Sequence, residues 1–328
     1  MTRSESSIVL FSVTLCWASS YIFIKNLPAD LSSFAYMTMT SVVAALILGI
    51  VFFSRLRELR GKTLVRAAVM AAIICANLVF ERLGVVQIPA STASFVAALN
   101  IVFVPFFLLF FKRKPSKNHL LGIVFILAGL VFTSGVYETG SLDPGVIYMV
   151  VACLFMAVYI IVVDGFTKQD DPLLLGVGQM FFTAGIAFVL WFFEDPRTFM
   201  SISYTNEMLA NIFLLAFFAR AYAYIMLMYG QKYANPLGVT VIASTEPVVT
   251  MVLALLIPST YGTTESLTLT KLVGAGLIVL GAICAGTTFL DRAGGKSADG
   301  RGAGGRGASG RGAGGKEQGS GEGVASHA

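Results

Sequence analysis

The chain has 328 residues, of which 56% are hydrophobic and 12% are charged, with a formal net charge of +5 and a mean hydropathy of +0.80. A soluble domain carries about 25% charged residues, so this composition excludes an ordinary soluble protein and indicates one that folds in a lipid bilayer. The positive charge does not indicate nucleic-acid binding, because the cations lie in loops and in the tail.

Long stretches without Asp, Glu, Lys, Arg or His recur along the chain. Spanning the hydrocarbon core takes about 20 apolar residues, and most of these stretches reach that length. They predict an all-α integral membrane protein with ten transmembrane helices. The predicted spans lie near 7–25, 31–54, 64–82, 88–111, 119–137, 144–163, 173–193, 208–231, 236–257 and 271–290.

The two halves of the chain are divergent copies of one unit. Residues 84–103 match residues 230–249, which lie 146 positions later. With a longer loop absorbed, LLGIVFILAGL at 120–130 matches LVGAGLIVLGA at 272–282. Internal repeats of hydrophobic helices are typical of secondary transporters, whose binding site forms where the copies meet.

An odd number of spans in each copy has a geometric consequence. Five helices that start on one side force the next five to start on the other, so we predict two inverted repeats. The first covers residues 1–140 and the second residues 141–291. Residues 292–328 form a Gly/Arg-rich tail that contains no aromatic residue. Such a segment is predicted to be disordered, and it lacks the stacking residues of a single-strand RNA binder.

Orientation follows from the distribution of the cations, since cytoplasmic loops are rich in Lys and Arg. The loops after the second and fourth predicted spans hold most of the loop cations: Arg55, Arg57, Arg60, Lys62, Arg66, Lys112, Arg113, Lys114 and Lys117. This places both termini in the cytoplasm and the chain in the cytoplasmic (inner) membrane.

Two charges fall near the middle of predicted spans. Arg220 lies in the eighth helix and Glu246 in the ninth, and both are near the bilayer midplane if the helices are regular. A charged side chain at this depth is costly, so it is expected either to pair with another group or to serve a function. We expect the two to pair. Glu246 either binds a substrate amine or a coupling proton, or it forms a static salt bridge; Asn100 occupies its position in the first copy.

Prolines mark two helices as candidates for lining a cavity. Pro247 removes a backbone hydrogen bond and is predicted to kink the ninth helix at Glu246, and Pro105 is predicted to do the same in the fourth. Irregular backbone at membrane depth is tolerated where it lines a cavity. Glu81 and Arg82 sit at the predicted end of the third helix, where interfacial snorkelling is the favoured interpretation.

Further polar and aromatic side chains within the spans are candidates for the lining, although each is more often an interhelix contact. They are Trp17, Tyr21, Asn77, Tyr159, Gln179, Tyr222 and Tyr224. The pairs Gly122/Gly129 and Gly274/Gly281 mark a face where helix backbones pack closely. The four cysteines fall in different spans without metal-site spacing, so no metal, cofactor or catalytic constellation is predicted.

Three segments carry a family resemblance. They are ASTEPVVTMVLALL at 243–256, PASTASFVAALNIVFVPFFLLFFKRKP at 89–115 and KLVGAGLIVLGAICAG at 271–286. With the repeat, they make residues 7–290 resemble EamA-type carriers of the drug/metabolite transporter superfamily. The resemblance implies a central cavity and the export of amino acids, other metabolites or drugs, in some members coupled to protons. Arg220 departs from the family pattern, in which small or apolar residues are usual at that position.

The sequence therefore predicts a secondary carrier, not an enzyme, that moves a small amphipathic metabolite by alternating access. An amino acid or related compound is favoured, in the direction of export, with proton coupling left open. One alternative is an exchanger of a phosphorylated or sugar-linked metabolite, which needs more cationic lining than Arg220 provides. Another is a membrane scaffold or sensor that binds partners through its tail. Oligomeric state is left open.

Overall fold

The computed structural model describes residues 3–110, 112, 116–133, 143–194, 197, 201–257 and 268–286, and within these ranges it contains helices and no strand. The predicted disordered tail, 292–328, lies outside the described residues. The α-helices are α1 (Arg3–Lys25), α2 (Ser33–Val51), α3 (Gly61–Gln87), α4 (Ala90–Ala97), α5 (Asn100–Phe110), α6 (Lys117–Thr133), α7 (Pro144–Thr167), α8 (Pro172–Glu194), α9 (Asn206–Leu214), α10 (Ala223–Tyr233), α11 (Pro236–Ala243), α12 (Glu246–Leu256) and α13 (Leu269–Gly286).

Eight continuous helical segments are long and apolar enough to cross a membrane. They are Ser4–Lys25, Ser33–Val51, Gly61–Gln87, Ala90–Phe110, Pro144–Thr167, Pro172–Glu194, Asn206–Tyr233 and Pro236–Leu256. The fifth and tenth predicted spans correspond to shorter apolar helices, Lys117–Thr133 and Leu269–Ala285. The remainders of those two predictions, 134–137 and 287–290, lie outside the described residues.

Several helices begin where the sequence supplies a capping side chain. Asp143 accepts a hydrogen bond of 2.8 Å from the Gly145 amide at the start of α7, and Asn235 accepts one of 2.7 Å from the Gly238 amide at the start of α11. In both cases a proline follows the cap. Proline is tolerated in the first turn because its missing N–H has no partner there in any case.

The fourth and ninth predicted spans are each interrupted at the same relative position. The first break lies at Ala98–Leu99, between α4 and α5, and the second lies at Ser244–Thr245, between α11 and α12. At both breaks the backbone tightens, as the Leu99 amide bonds the Val96 carbonyl at 2.9 Å and the Thr245 amide bonds the Ile242 carbonyl at 3.1 Å. The interruption predicted in these helices is therefore present.

The two prolines stand at different distances from the breaks. Pro105 lies inside α5, several residues beyond the break at Ala98–Leu99, so it does not cause that break. Pro247 lies in the first turn of α12, directly after the break at Ser244–Thr245. The breaks coincide in the two copies and the prolines do not, so the break between α4 and α5 forms without a proline beside it.

The eighth predicted span contains a π-helical segment, Leu215–Tyr222, that joins α9 to α10 and carries Arg220. Its counterpart in the first copy, α3, is an uninterrupted α-helix of 27 residues, whereas Asn206–Tyr233 has 28. The wider turn of a π-helix accommodates an additional residue without breaking the helix, and such segments are often found at functional sites.

Glycines bring α6 and α13 into backbone contact, as predicted from the paired glycines. A Cβ atom placed on Gly122 would lie 2.5 Å from the Gly281 carbonyl oxygen, and one on Gly281 would lie 2.7 Å from that of Gly122. Gly129 faces Gly274 in the same way, with a Cβ on Gly129 lying 2.6 Å from the Gly274 carbonyl oxygen. No side chain larger than hydrogen fits at these positions.

Other large helix contacts also run between the copies. The helix α3 of the first copy packs on α7 of the second, and α10 of the second copy packs on α1 of the first. The two interfaces therefore pair equivalent helices with the copies interchanged. The helices α2 and α8 pack on each other, as do α4 and α12. Large apolar side chains on the outside are strongly exposed, among them Ile50, Phe110, Phe193 and Leu256, as expected of a surface that contacts lipid.

Candidate functional site

A cavity lies between the two copies. Its lining comes from α1, α3, α7, the π segment, α10 and both interrupted spans, and consists of Trp17, Ser20, Tyr21, Asn77, Glu81, Ala97, Asn100, Met149, Ala152, Cys153, Met156, Ile160, Arg220, Tyr224, Val239, Ala243 and Glu246. The space open to the centres of water-sized molecules is about 40 Å³. One water needs about 10–15 Å³ on this measure, so the cavity holds about three waters and must widen to admit an organic molecule.

The two helix breaks place matching polar residues in this cavity. Glu246 is the first residue of α12 and Asn100 is the first residue of α5. The Glu246 side chain is 6% exposed and forms a hydrogen bond with Tyr21 of α1. The buried Asn100 Oδ1 atom accepts no hydrogen bond from any described residue. The breaks thus bring an acidic group and a free acceptor to one place, as predicted for the fourth and ninth spans.

Arg220 is buried and bonded to tyrosines. Its Nη2 donates a hydrogen bond of 2.6 Å to the Tyr36 hydroxyl and its Nη1 donates one of 3.3 Å to the Tyr224 hydroxyl. Its Cζ atom lies 5.5 Å from the ring centroid of Tyr36 and 6.0 Å from that of Tyr224. A guanidinium at the centre of a transmembrane helix costs about 2.5–3.5 kcal/mol, which these charge-assisted bonds and ring contacts help to offset.

The expected Arg220–Glu246 pair is not formed. Both side chains line the cavity, but no ion pair joins them within the part of the chain that the structure describes. Arg220 takes hydroxyl partners on α2 and α10 instead, and Glu246 takes Tyr21 on α1. The expectation was wrong because partner choice depends on packing of α2 against the π segment, which sequence adjacency does not report.

The interfacial interpretation of Glu81 and Arg82 is also wrong. The helix α3 continues to Gln87, so both residues lie inside it, and Glu81 lines the cavity. Arg82 is 1% exposed and donates hydrogen bonds to the carbonyls of Ile24 at 2.8 Å and Pro28 at 2.7 Å. Arg82 therefore fixes the end of α1 and the following turn, while Glu81 adds a second carboxyl to the cavity.

An aromatic cluster centred on Tyr224 forms one wall. The rings of Trp17 and Tyr159 each meet the Tyr224 ring edge-on with centroids 5.9 Å apart. Tyr159 lies behind the lining and donates a hydrogen bond of 2.8 Å to Gln179 Oε1. Of the predicted residues, Tyr159 and Gln179 therefore support the wall without lining the cavity.

The other predicted residues divide between the lining and the periphery. Asn77 lines the cavity and also donates a hydrogen bond of 2.9 Å to the Ala152 carbonyl, which ties α3 to α7. Tyr222 does not line the cavity, and its hydroxyl lies 3.0 Å from Ser12 Oγ. Sequence reasoning missed the role of Tyr36 as the closest partner of Arg220, although a tyrosine within an apolar span is the kind of signal used for the other candidates.

A family model described as the EamA-like transporter family matches residues 6–135 and 143–287. No curated protein sequence matches the chain. A solved crystal structure resembles it with a TM-score of 0.65 at 16% sequence identity, over 89% of this chain and 99% of that one, which supports the fold alone.

The family match covers both halves of the chain and agrees with the repeat and with the membrane-length helices. The protein is therefore a multi-pass integral membrane protein with a two-repeat architecture, and it belongs to the EamA-like transporter family.

Proposed function

We propose that the chain is a secondary carrier that exports a small amphipathic metabolite, an amino acid or a related compound, by alternating access. The observation that supports this most is the cavity between the copies, which combines aromatic walls with Glu81, Arg220 and Glu246. Charged groups facing a cavity inside a membrane protein mark substrate or ion pathways. Binding where two repeats and two interrupted helices meet is the usual arrangement of secondary transporters.

The closed cavity supports a cycle in which the protein opens to one side at a time. One face is held by the ion pair between Arg66 Nη1 and Asp170 Oδ2, at 2.6 Å, which joins α3 to the loop between α7 and α8. The other face has a hydrogen bond from Ser32 to Glu194, which joins the start of α2 to the end of α8. In this proposal, substrate enters when the contacts of one face separate and leaves when those of the other do.

Within this proposal Glu246 binds the substrate amine or carries a coupling proton. Its carboxyl stands at a helix break with Tyr21 as its partner, in a cavity that has room for a few waters. The phosphorylated or sugar-linked alternative finds less support. Among the described residues that line the cavity, Arg220 alone is cationic, and both of its terminal nitrogens are bonded to tyrosines.

We further infer ten spans in two inverted repeats, 1–140 and 141–291, followed by the tail 292–328. Both termini are proposed to lie in the cytoplasm, with Arg55 and Arg66 on the cytoplasmic face.

The test is flux in proteoliposomes across a panel of amino acids and amphipathic amines, with and without a proton gradient. Each transported compound is measured again with Glu246→Gln and with Glu58→Gln, a matched change at an exposed glutamate that pairs with Arg55. Flux that is lost in Glu246→Gln and kept in Glu58→Gln supports the proposed role of Glu246. Equal flux in both variants demotes Glu246 to a structural charge.

Deleting residues 292–328 separates the carrier from the scaffold alternative. A carrier retains most of its flux without the tail, whereas a scaffold that recruits partners through the tail loses its function. Absence of flux for every compound, from protein that elutes as a folded species, would contradict the carrier proposal.

A further inference from the structure

The described lining of the cavity contains three acidic or basic side chains, and their charges do not cancel. Glu81 and Glu246 are acidic, Arg220 is basic, and no other charged residue belongs to the described lining. Arg82, the next cation along α3, is turned toward the carbonyls of Ile24 and Pro28. When all three groups are ionised, the cavity therefore carries one negative charge in excess.

None of the three forms an ion pair with another among the described residues. Arg220 donates hydrogen bonds to the hydroxyls of Tyr36 and Tyr224, and Glu246 has Tyr21 as its hydrogen-bond partner. One cation therefore faces two carboxyl groups, so at least one of the two lacks a compensating cation. A carboxylate without a compensating cation is costly away from water, so such a group either takes up a proton or binds a cationic ligand.

Hydrogen-bonding atoms without a partner at the cavity also favour a cationic ligand. The buried Asn100 Oδ1 atom has no donor among the described residues and stands at the helix break equivalent to that of Glu246. It is an acceptor, as an ammonium group requires. Arg220 is 3% exposed, and its buried Nε has no acceptor among the described residues, so it is available to one oxygen of the ligand.

The walls accept an apolar body. Trp17, Tyr21 and Tyr224 present rings, and Met149, Met156 and Ile160 present aliphatic surface. Methionine side chains adapt to ligands of different shape, and aromatic faces favour cations as well as apolar groups. The lining thus pairs an ammonium position with a nonpolar compartment.

We propose that the cavity selects amines of net charge +1 over zwitterions and anions, with the ammonium held by Glu246 and Asn100 and with Glu81 setting the charge preference. This rests on the proposed function. It narrows the substrate class from amino acids and related compounds to those that carry a net charge of +1, with an apolar body and a neutral oxygen acceptor. A zwitterion adds no net charge and leaves the excess negative charge of the cavity in place. A cationic amine cancels it.

The test uses the fluorescence of Trp17, one of two tryptophans in the chain. The other, Trp191, is buried in α8 and does not line the cavity, so Trp191→Phe leaves a single reporter at the site. Phenylalaninamide, phenylalanine and 3-phenylpropanoate share one ring and differ in charge, and each is titrated against the full-length protein in detergent.

In the Trp191→Phe protein we expect phenylalaninamide to bind about tenfold more tightly than phenylalanine, and 3-phenylpropanoate more weakly than either, since one charge-assisted contact is worth about a factor of ten or more. Glu81→Gln removes the excess negative charge, so it should reverse the order of the amide and the amino acid. Glu246→Gln should weaken the binding of both compounds. Glu58→Gln should leave the ratio of the two affinities unchanged.

Tighter binding of phenylalanine than of phenylalaninamide to the Trp191→Phe protein overturns the proposal. This comparison does not depend on the folding of any variant with a changed cavity residue. An unchanged ratio in a folded Glu81→Gln protein overturns it as well, as does the absence of any emission change with all three compounds. If none of the three compounds changes the emission but another compound is transported, the carrier proposal is retained and the amine proposal is rejected. If the amine selectivity is found but no compound is transported, the carrier proposal is rejected and the binding site is retained.

Discussion

Tyr36 lies between two guanidinium groups, with its hydroxyl accepting a hydrogen bond of 2.6 Å from Arg220. The Cζ atoms of Arg220 and Arg82 are both 5.5 Å from its ring centroid. Tyr36 of α2 thereby connects the cavity residue Arg220 to Arg82, which holds the end of α1 through the carbonyls of Ile24 and Pro28. None of these contacts is local in sequence.

Tyr36→Phe keeps the ring and removes the hydroxyl. We expect it to lower the free energy of unfolding by about 1.5–3 kcal/mol, because a hydrogen bond to a buried charge is lost. The measurement is an SDS titration followed by circular dichroism. Tyr148→Phe is the matched control, since the Tyr148 ring packs against Phe80 and its hydroxyl forms no hydrogen bond to the described residues. Equal stability of the two variants would contradict the importance of the bond.

Gly281→Ala should destabilise the contact between α6 and α13. The new methyl would lie 2.7 Å from the Gly122 carbonyl oxygen, so the helices must separate, at a cost of about 1–3 kcal/mol. Gly276 is on the same helix, and a methyl group added there would have no neighbouring atom within 4 Å, so Gly276→Ala controls for helix propensity. Thermal unfolding in detergent compares the two. A Gly281→Ala protein as stable as Gly276→Ala would contradict the packing argument.

The Arg66–Asp170 pair should contribute modestly and depend on salt. Its side chains are 25% and 17% exposed, a setting in which ion pairs contribute about 0.2–1 kcal/mol. Arg66→Asp and Asp170→Arg should each lower stability, and the double reversal should recover part of the loss. A double-mutant cycle at low and high salt measures the coupling. A coupling of zero at low salt would show that the pair does not hold this face closed.

Orientation can be tested by labelling single cysteines with a membrane-impermeant maleimide. Arg57→Cys and Glu207→Cys place exposed thiols at opposite ends of the bundle. The background carries Cys16→Ala and Cys284→Ala, because the other two cysteines are buried. We expect Arg57→Cys to react in inside-out vesicles and Glu207→Cys in intact cells. The reverse pattern would overturn the proposed cytoplasmic placement of the termini.

The repeat and the composition were sufficient to predict the helical membrane fold, because both are properties of the apolar pattern itself. They also located Glu246, Asn100, Trp17 and Tyr21 in one cavity, since interrupted helices and midplane polar groups are visible in sequence. Glu81 was missed because a charged residue after an apolar run resembles the end of a membrane span. The apolar residues that follow it continue α3 to Gln87.

The partners of Arg220 were not predictable in the same way. Its hydrogen bond to Tyr36 spans 184 positions and depends on how α2 packs on a π segment. No local pattern distinguishes a π segment from an α-helix, because the same apolar residues suit both. The predicted pair with Glu246 followed from adjacency of consecutive helices, which determines neighbours but not the rotation of each helix about its axis.

The glycine contact between α6 and α13 limits which parts of the molecule can rearrange. Two backbones touch through Gly122 and Gly281, and again through Gly129 and Gly274, and at these four positions no side chain separates the helices. Sliding or rotation at this contact would drive the carbonyl oxygens of one helix into the backbone of the other. The two copies consequently stay joined along this seam, and the relative motion that widens the cavity falls to the helices that line it.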